Sequence, residues 1–340
     1  MAIFKKDYLY NDQADHDAFI AIKDGKVVGR IMAILQKASN AKWNQKRIRF
    51  NRFDCIDDQE VADALFDKVF EYAKERGMDE VVGPLGFSDL EREGLLIEGF
   101  DYLSTFEEQY NYPYYQRLIE NYGFKKEIDW VERRLFPNKK DDTDLGKRLE
   151  KISDLVMKKN KLHFAETKNI NEFLKKYKDS FFDLCEKSYE NLYMTVPFSE
   201  KIKKSLIASF KLIINKRFIS MILNENNEAV CFGLCFPEMG SFIQKSKGKL
   251  TPITLIKLLH GIRHPKILDL GLIGVDSRYV NSGVATVLVN LTYKYLNNDK
   301  NIKYMETNLN LENNFHIISL WDKFDNIQHK RRRSFVKKCS

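Results

Sequence analysis

The stretch Val275-Asp276-Ser277-Arg278-Tyr279-Val280-Asn281-Ser282-Gly283-Val284-Ala285 decides the fold, because it joins the end of an apolar strand to the start of a helix through a short polar loop. Such a loop directs several backbone N–H groups to the positive end of a helix, which suits a phosphate. Gly283 permits close approach of the backbone, and Ala285 keeps the first helical turn small. Two interpretations stay open: a phosphate-binding loop, and an ordinary strand–loop–helix connection with a good N-cap.

The elements around this stretch occur twice along the chain in the same order. The C-terminal copy is predicted to begin with a hairpin of two strands, 218–223 and 229–236, that turns at Asn226-Asn227. A strand (267–275), a helix (282–296), a strand (302–309), a helix from Asn314 to near Phe324 and a basic strand (329–337) follow. In the N-terminal copy the hairpin strands are 18–22 and 27–33, and they flank Asp24-Gly25, a strong hairpin signal. The same order follows: a strand (47–55), a helix (57–76), a strand (80–83), a helix (114–122) and a strand (128–135). Strands interleaved with helices after an antiparallel hairpin predict two α/β units with mixed sheets.

The length of 340 residues also favours two domains. The polar, proline-containing run 137–142 predicts a boundary, and a helix predicted at 145–158 bridges the domains. Two further helices, at 171–189 and 199–215, precede the second hairpin. We therefore expect an N-terminal domain at 1–138, a linker and bridging helix at 139–160, and a C-terminal domain at 161–340.

The composition is that of an ordinary globular protein, with 44% hydrophobic and 31% charged residues. No apolar run is long enough to cross a bilayer and the N-terminus lacks a signal core, so the expected location is cytoplasmic, with no membrane partner. Five cysteines without a Cys-x-x-Cys pair predict buried, reduced thiols, and the scattered histidines predict no metal site. The net charge of +8 indicates either an anionic partner, such as a nucleotide cofactor, or solvated lysine-rich faces.

The opening stretch resembles the pyrophosphate loop of the GNAT acetyltransferase superfamily. Four positions match the family pattern: Val275, Tyr279, Gly283 and Ala285. Ser277 stands where proline is usual, and Val280 stands where Gln or Arg is usual. Downstream, Asn314 matches a family asparagine, whereas Trp321 replaces the tyrosine that protonates the departing thiolate in many relatives. Indole cannot act as that acid, so another group would have to do so.

The N-terminal copy resembles the same fold without the loop. Its strand–helix junction, Asp54-Cys55-Ile56-Asp57-Asp58-Gln59-Glu60, has no glycine, and its carboxylates would stabilise the helix start but repel a pyrophosphate. We therefore expect no CoA site in this half. Motifs such as Gly83-Pro84, Glu93-Gly94-Leu95-Leu96 and Gly123-Phe124-Lys125-Lys126 resemble those of a bacterial group of uncharacterised tandem GNAT-like proteins.

The resemblance implies an α/β protein with two tandem GNAT-like mixed sheets flanked by helices. It implies an N-acetyltransferase that uses acetyl-CoA as acyl donor and a small-molecule or peptide amine as acceptor. Two parallel strands would splay apart near Val275 and Asn308, with pantetheine in the gap and backbone N–H groups polarising the thioester carbonyl. The implied cofactor-binding residues are Ile273, Val275, Asn281, Ser282, Gly283, Val284, Ala285 and Asn314.

Asp269 and Glu306 are the candidate catalytic bases. An acceptor amine must lose a proton before or during its attack on the thioester, and a carboxylate on a neighbouring strand can take that proton. The alternative interpretation is that both are solvent-facing strand residues.

Two other functions stay open beside the favoured enzymatic one. Tandem GNAT folds also occur in aminoacyl-tRNA-dependent enzymes that build peptidoglycan bridges, and the positive charge would suit tRNA, although no other nucleic acid is expected. No long heptad run predicts the coiled-coil arm that those enzymes often carry. The departures at Val280 and Trp321 instead fit a non-catalytic CoA-binding or scaffold protein.

Overall fold

The computed structural model describes residues 2–138 and 143–339. They form two compact units, each with a mixed sheet and flanking helices, as the sequence predicts. Unit 1 comprises Met1–Val131, Leu192–Pro197 and His329–Ser340, and unit 2 comprises Glu132–Asn191 and Phe198–Gln328. Neither unit is one contiguous run. Whether the predicted limits bound independently folding domains stays a prediction. Residues 139–142 of the predicted linker lie outside the described residues.

The secondary structure alternates strands and helices along the chain. The strands are β1 (Ala14–Lys23), β2 (Lys26–Gln36), β3 (Arg47–Cys55), β4 (Glu80–Gly83), β5 (Leu95–Glu98), β6 (Lys125–Phe136), β7 (His163–Phe164), β8 (Ile219–Leu223), β9 (Ala229–Pro237), β10 (Ile267–Val275), β11 (Tyr304–Thr307), β12 (Asn310–Leu311) and β13 (Asp325–Lys338). The α-helices are α1 (Lys37–Trp43), α2 (Gln59–Glu75), α3 (Tyr114–Asn121), α4 (Thr143–Lys159), α5 (Ile170–Tyr189), α6 (Glu200–Ile213), α7 (Gly240–Lys245), α8 (Pro252–Arg263), α9 (Val284–Asn298) and α10 (Phe315–Trp321).

Unit 1 is built around strands in the order β1-β2-β3-β4-β13. The predicted turn Asp24-Gly25 joins β1 to β2, and its two residues have φ angles of 51° and 71°, the left-handed pair that a two-residue hairpin favours. Helix α2 begins after the N-cap Asp58 and buries Val61, Leu65 and Val69 in the core, which is the face that the sequence predicts.

Unit 2 follows the order β11-β10-β9-β8-β7, with the last residues of β6 beside β11. Strands β10 and β11 are parallel, whereas β9 runs antiparallel to β10. Helix α9 contributes Ala285 and Val289 to the core. Helix α4 lies against α9, where Gly146 makes room for a ring, since a Cβ there would lie 2.6 Å from Tyr293 Cε1.

The C-terminal strand corrects one prediction. The sequence predicts that the basic strand 329–337 closes the C-terminal copy, but in the structure Phe335 and Val336 of β13 lie opposite Gly83 and Val82 of β4 in unit 1. Alternating apolar and polar residues identify a strand without specifying its partner, because every strand of a half-buried sheet shows the same pattern.

Among the strands and α-helices of the described residues, six have no counterpart in the prediction: α1, β5, β7, β12, α7 and α8. Helix α8 nevertheless carries a start signal, because Thr251 is its N-cap and Pro252 occupies its first turn. The sequence prediction overlooks this signal.

Candidate active site

The parallel strands β10 and β11 part midway along β10. Their pairing runs from Ile267 opposite Tyr304 to Leu270 opposite Thr307, and Asn308 N donates to Leu270 O over 3.1 Å. Beyond this point β11 ends, while β10 continues beside β9 to Val275. The register of β10 against β9 shifts at Gly271, where a Cβ would lie only 2.3 Å from Phe236 Cε2. A glycine is therefore required at the bulge that carries β10 past the end of β11.

A cavity opens in unit 2 at this gap, between the sheet and helices α9 and α10. It holds about 620 Å³ of empty space, counting open solvent at its mouth. Thr307, Asn308 and Asn310 supply polar groups at the gap, whereas most of the remaining lining is apolar. Phe218 and Tyr295, whose rings lie 5.3 Å apart, form another part of the wall.

Tyr189, the last residue of α5, engages the strand edge beyond the gap. Its hydroxyl accepts from Ile273 N over 3.1 Å and donates to Ile273 O over 2.8 Å. The neighbouring Ser188 Oγ donates to Val275 O over 3.2 Å. These backbone segments are the ones near which the GNAT resemblance implies that the thioester lies. No sequence signal identifies Tyr189, because a tyrosine at a helix end is an ordinary residue there.

The predicted phosphate loop is more tightly wound than an open loop. Residues Ser277–Ser282 form a 3-10 helix, Gly283 follows with φ of 87°, and α9 begins at Val284, two residues later than predicted. Ser282 Oγ donates to Tyr279 O and accepts from Val284 N. These local hydrogen bonds of Ser282 fit the interpretation of the stretch as an ordinary strand–loop–helix connection with a good N-cap. Asn281 is exposed and Ser282 half-buried, while the side chains of Val284 and Ala285 are buried.

Gly283 has little room for a side chain. A Cβ on it would lie 3.1 Å from Val156 Cγ2 of α4, and its positive φ favours glycine. Downstream, Asn314 acts as the N-cap of α10, with its side chain accepting from Ile317 N. Trp321, on the same helix, is buried and donates from Nε1 to Asn310 Oδ1 over 2.9 Å.

The two carboxylates predicted as bases lie side by side. Asp269 of β10 is opposite Glu306 of β11, and they are 1% and 4% exposed, so the solvent-facing alternative is wrong. Because side chains alternate along a strand, both lie on the sheet face opposite to the cavity-lining residues Leu270 and Thr307. Arg134 Nη2 approaches Glu306 Oε2 to 3.3 Å, so this carboxylate has a cationic partner.

The buried thiols of unit 2 are poor nucleophiles. Cys231 and Cys235 lie on β9 and are buried, as the sequence predicts. Burial, and then the nearby Asp269 carboxylate, raises the pKa of Cys235 to about 12. A thiolate at neutral pH is therefore strongly disfavoured.

At the acidic strand–helix junction of unit 1, Asp57 and Asp58 pair with basic side chains of the same unit. Asp58 caps α2 and accepts from Lys23 Nζ over 2.7 Å, which holds the pKa of that carboxyl below its usual value. Asp57 pairs with Arg117. The α2 N-terminus is thus occupied by a side chain of its own segment.

Within residues 2–138 and 143–339, no helix combines the length and the apolar composition that spanning a bilayer requires.

No protein-family model matches this chain. Protein YghO of Escherichia coli (strain K12) is 26% identical over 349 aligned residues, covering 96% of this chain and 84% of the relative. A bacterial ceramide synthase of Caulobacter vibrioides (strain NA1000 / CB15N) is 25% identical over 289 residues, covering 83% and 72%. Among solved structures, a tandem GNAT protein from the clavulanic acid biosynthesis pathway has a TM-score of 0.52 at 10% identity, covering 96% of this chain and 84% of that one. A GCN5-related N-acetyltransferase from Sphaerobacter thermophilus has a TM-score of 0.50 at 9% identity, covering 95% and 81%.

Proposed function

Because this chain has the tandem GNAT fold, we propose that unit 2 is a CoA-dependent N-acyltransferase, which moves an acyl group from the CoA thioester to the nitrogen of an amine. The observation that carries the proposal is the parting of β10 and β11 after Leu270 and Thr307, because the cavity of unit 2 opens at that gap. An extended thiol-bearing arm fits a gap between parallel strands, since the strand backbones beside it offer hydrogen bonds.

The donor would be held at both ends. The pyrophosphate would lie at the start of α9, near Asn281, Ser282 and Gly283, where the helix dipole favours anions. Val284, Ala285 and Asn314 belong to the same proposed site, at the starts of α9 and α10. At the reacting end, the thioester carbonyl would take the Ile273 N–H that Tyr189 now engages, with Val275 further along the same edge.

The proposed chemistry needs one base and one acid. Asp269 or Glu306, on the sheet face opposite to the cavity, would accept the proton of an acceptor ammonium that reaches the gap from that face, and the free amine would attack the thioester carbon. As the tetrahedral intermediate collapses, the C–S bond breaks and the CoA thiolate takes a proton from an acid, while the new amide nitrogen gives up its second proton to the conjugate base of that acid. Trp321 cannot supply the proton that the thiolate takes, whereas the Tyr189 hydroxyl beside Ile273 can, so we assign the acid role to Tyr189.

We further propose that the acyl group is longer than the acetyl group that family resemblance implies. The cavity beneath α9 is lined by apolar side chains such as Leu272, Leu288 and Leu291, which would cover a hydrocarbon chain but are not needed for a methyl group. A relative that covers most of this chain is called a ceramide synthase, and a ceramide is an amide of a long-chain amine. An amine acceptor with an aliphatic chain fits the same chemistry.

Calorimetric titration of the full chain with CoA, acetyl-CoA and octanoyl-CoA tests this function. We expect one equivalent bound per chain, and octanoyl-CoA at least about tenfold tighter than acetyl-CoA, since each buried methylene contributes up to ~0.8 kcal/mol. Gly283→Asp should weaken CoA binding at least about tenfold more than Gly283→Ala. Both variants share the strain of a Cβ at Gly283, but only aspartate repels phosphate.

Three outcomes would contradict parts of the proposal. Absence of binding at millimolar CoA would remove the acyl-CoA function and favour the tRNA-dependent or scaffold alternative. Equal affinities of the alanine and aspartate variants would place the phosphates elsewhere. Equal affinities for acetyl-CoA and octanoyl-CoA would restore acetyl as the transferred group.

A further inference from the structure

A pair of helices in unit 2, α7 and α8, lies outside the proposed active site. Helix α8 begins at the N-cap Thr251, whose hydroxyl accepts from Thr254 N over 3.2 Å, and Pro252 follows in the first turn. Both features favour a well-defined helix start. The local sequence therefore specifies the start of α8, although the proposed chemistry does not require this helix.

One side of α8 is held by specific packing. Gly261 leaves room for the Phe242 ring of α7, because a Cβ there would lie 2.6 Å from Phe242 Cζ. Asn215 Nδ2, just after α6, donates to Ile262 O over 3.2 Å. These contacts fix which side of α8 faces the rest of unit 2.

The other side of α8 is apolar and exposed. Leu250, Ile253 and Ile256 are 69%, 66% and 68% exposed, and Leu255 and Leu259 add to the same surface. No residue of α8 is buried, although seven of its twelve residues are Leu, Ile or Pro. Single exposed apolar residues need no explanation, but a group of this size on one helix indicates a binding surface. We call Leu250, Ile253, Leu255, Ile256 and Leu259 the α8 apolar surface.

The charge around the α8 apolar surface has one sign. The chain contains no Asp or Glu between Glu238 and Asp269. The basic residues of this segment are exposed: Lys245, Lys247, Lys249, Lys257, Arg263 and Lys266. None of these six forms an ion pair with an acidic residue of the described part of the chain. The segment therefore offers unneutralised positive charge beside exposed hydrocarbon.

We propose that the α8 apolar surface docks on an anionic phospholipid bilayer, with Leu250, Ile253 and Ile256 inserted at the headgroup–acyl boundary and the lysines against lipid phosphates. Exposed apolar side chains can enter the boundary between headgroups and acyl chains, and neighbouring basic residues can contact the lipid phosphates. Lysines near such a surface are attracted electrostatically to its anionic headgroups. Docking of this kind requires no spanning helix, and it revises the expectation that the chain has no membrane partner.

Vesicle flotation of the full chain tests the docking. We expect the protein to float with phosphatidylcholine–phosphatidylglycerol vesicles at low salt, with at least about tenfold weaker partitioning to pure phosphatidylcholine and in 0.5 M salt. Ile253→Ser/Ile256→Ser should lower the partition coefficient at least about tenfold. The matched control is Ile20→Ser/Ile22→Ser on β1, whose residues are 61% and 62% exposed, and it should float like the parent protein.

Several results would overturn the docking proposal. One is that the protein binds neither vesicle type. Another is that it binds both types equally at all salt concentrations. A third is that the β1 control variant loses as much vesicle binding as the α8 variant. Analytical ultracentrifugation distinguishes another occupant, because a dimer abolished by the α8 variant would make the surface an interface between copies. The α8 variant should bind CoA like the parent protein, so failure of docking and failure of the proposed function are separable.

Discussion

At the scale of single residues, Tyr189 links the helical layer of unit 2 to the strand edge where the sheet opens. Its hydroxyl bonds both the N–H and the C=O of Ile273, so it is held at the peptide group that would polarise a thioester carbonyl. Trp321, at the position of the family acid, instead donates its indole N–H to Asn310. In the proposed mechanism, the Tyr189 hydroxyl on α5 takes the acid role that the GNAT resemblance assigns to a tyrosine at the position of Trp321.

Tyr189→Phe should lower kcat for acyl transfer by about 10²-fold, the usual size of a general-acid contribution, and leave CoA affinity within about twofold. The matched control is Tyr177→Phe on the same helix, where the tyrosine packs against the Phe173 ring at 5.7 Å. Steady-state kinetics with calorimetric CoA titration separate the two effects. An unchanged kcat, or a loss explained wholly by weaker CoA binding, would show that Tyr189 only supports the strand.

At the scale of elements, β13 is tied to β6 in unit 1 by a buried carboxylate. Asp129, with a side chain only 1% exposed, accepts from Arg333 Nε and Nη2 over 2.7 and 3.0 Å and from Arg331 Nη1 over 3.1 Å. Arginines two residues apart on a strand lie on the same face, so one acid can pair with both. The basic sequence of β13 could suggest nucleic-acid binding, but Arg331 and Arg333 pair with Asp129 inside unit 1.

Asp129→Asn should lower the free energy of unfolding by about 3 kcal/mol at pH 7, because it removes the buried carboxylate charge that both arginines share. Burial opposes ionisation of Asp129, but the arginines and Lys126 outweigh it and hold the pKa of its carboxyl below the usual value. Its contribution is therefore full above the unfolded pKa of about 3.9 and is lost as the pH falls through the folded pKa.

Urea unfolding between pH 7 and pH 3 measures this effect, with Asp15→Asn as the control. Asp15 pairs with Lys37 at the surface, where both side chains are 52% exposed, so the control should cost less than about 1 kcal/mol. A difference between parent and Asp129→Asn that is already lost at pH 6 would contradict the assigned cause.

At the scale of the whole molecule, the chain returns at its end to complete the unit that it began with. Residues 329–338 of β13 supply a strand to unit 1, and the side chains of Phe335 and Arg332 are fully buried there. The N-terminal copy without this strand would expose the edge of β4 and leave a gap in its core. Unpaired edges and exposed apolar surface promote aggregation.

A chain of residues 1–138 should therefore aggregate, or melt well below the same residues joined by a flexible linker to residues 325–340. Both have the same N-terminal sequence, and only the second can pair β13 with β4. Thermal unfolding monitored by circular dichroism, with light scattering for aggregation, compares them. A monomeric 1–138 fragment with an equal melting temperature would show that the N-terminal copy folds alone, as the predicted domain limits assume.

The sequence alone determined the local elements and the class of fold. Strands β3, β4 and β10 have the predicted bounds, and Gly77 and Gly123 follow helices with positive φ angles, as C-terminal caps do. Such features depend on residues close together in the chain, namely periodicity, turn chemistry and caps, so they can be read without knowing the tertiary contacts. The GNAT resemblance rested on motifs of the same local kind.

Only the tertiary structure decided which unit β13 joins, that Asp269 and Glu306 are buried neighbours, and that Tyr189 meets Ile273. Each of these pairs residues far apart in the sequence, and a strand or helix pattern specifies a face to be covered but not the residue that covers it. Helix α8 also shows what the sequence leaves open. Its apolar residues predict burial, yet the packing of unit 2 leaves them at the surface.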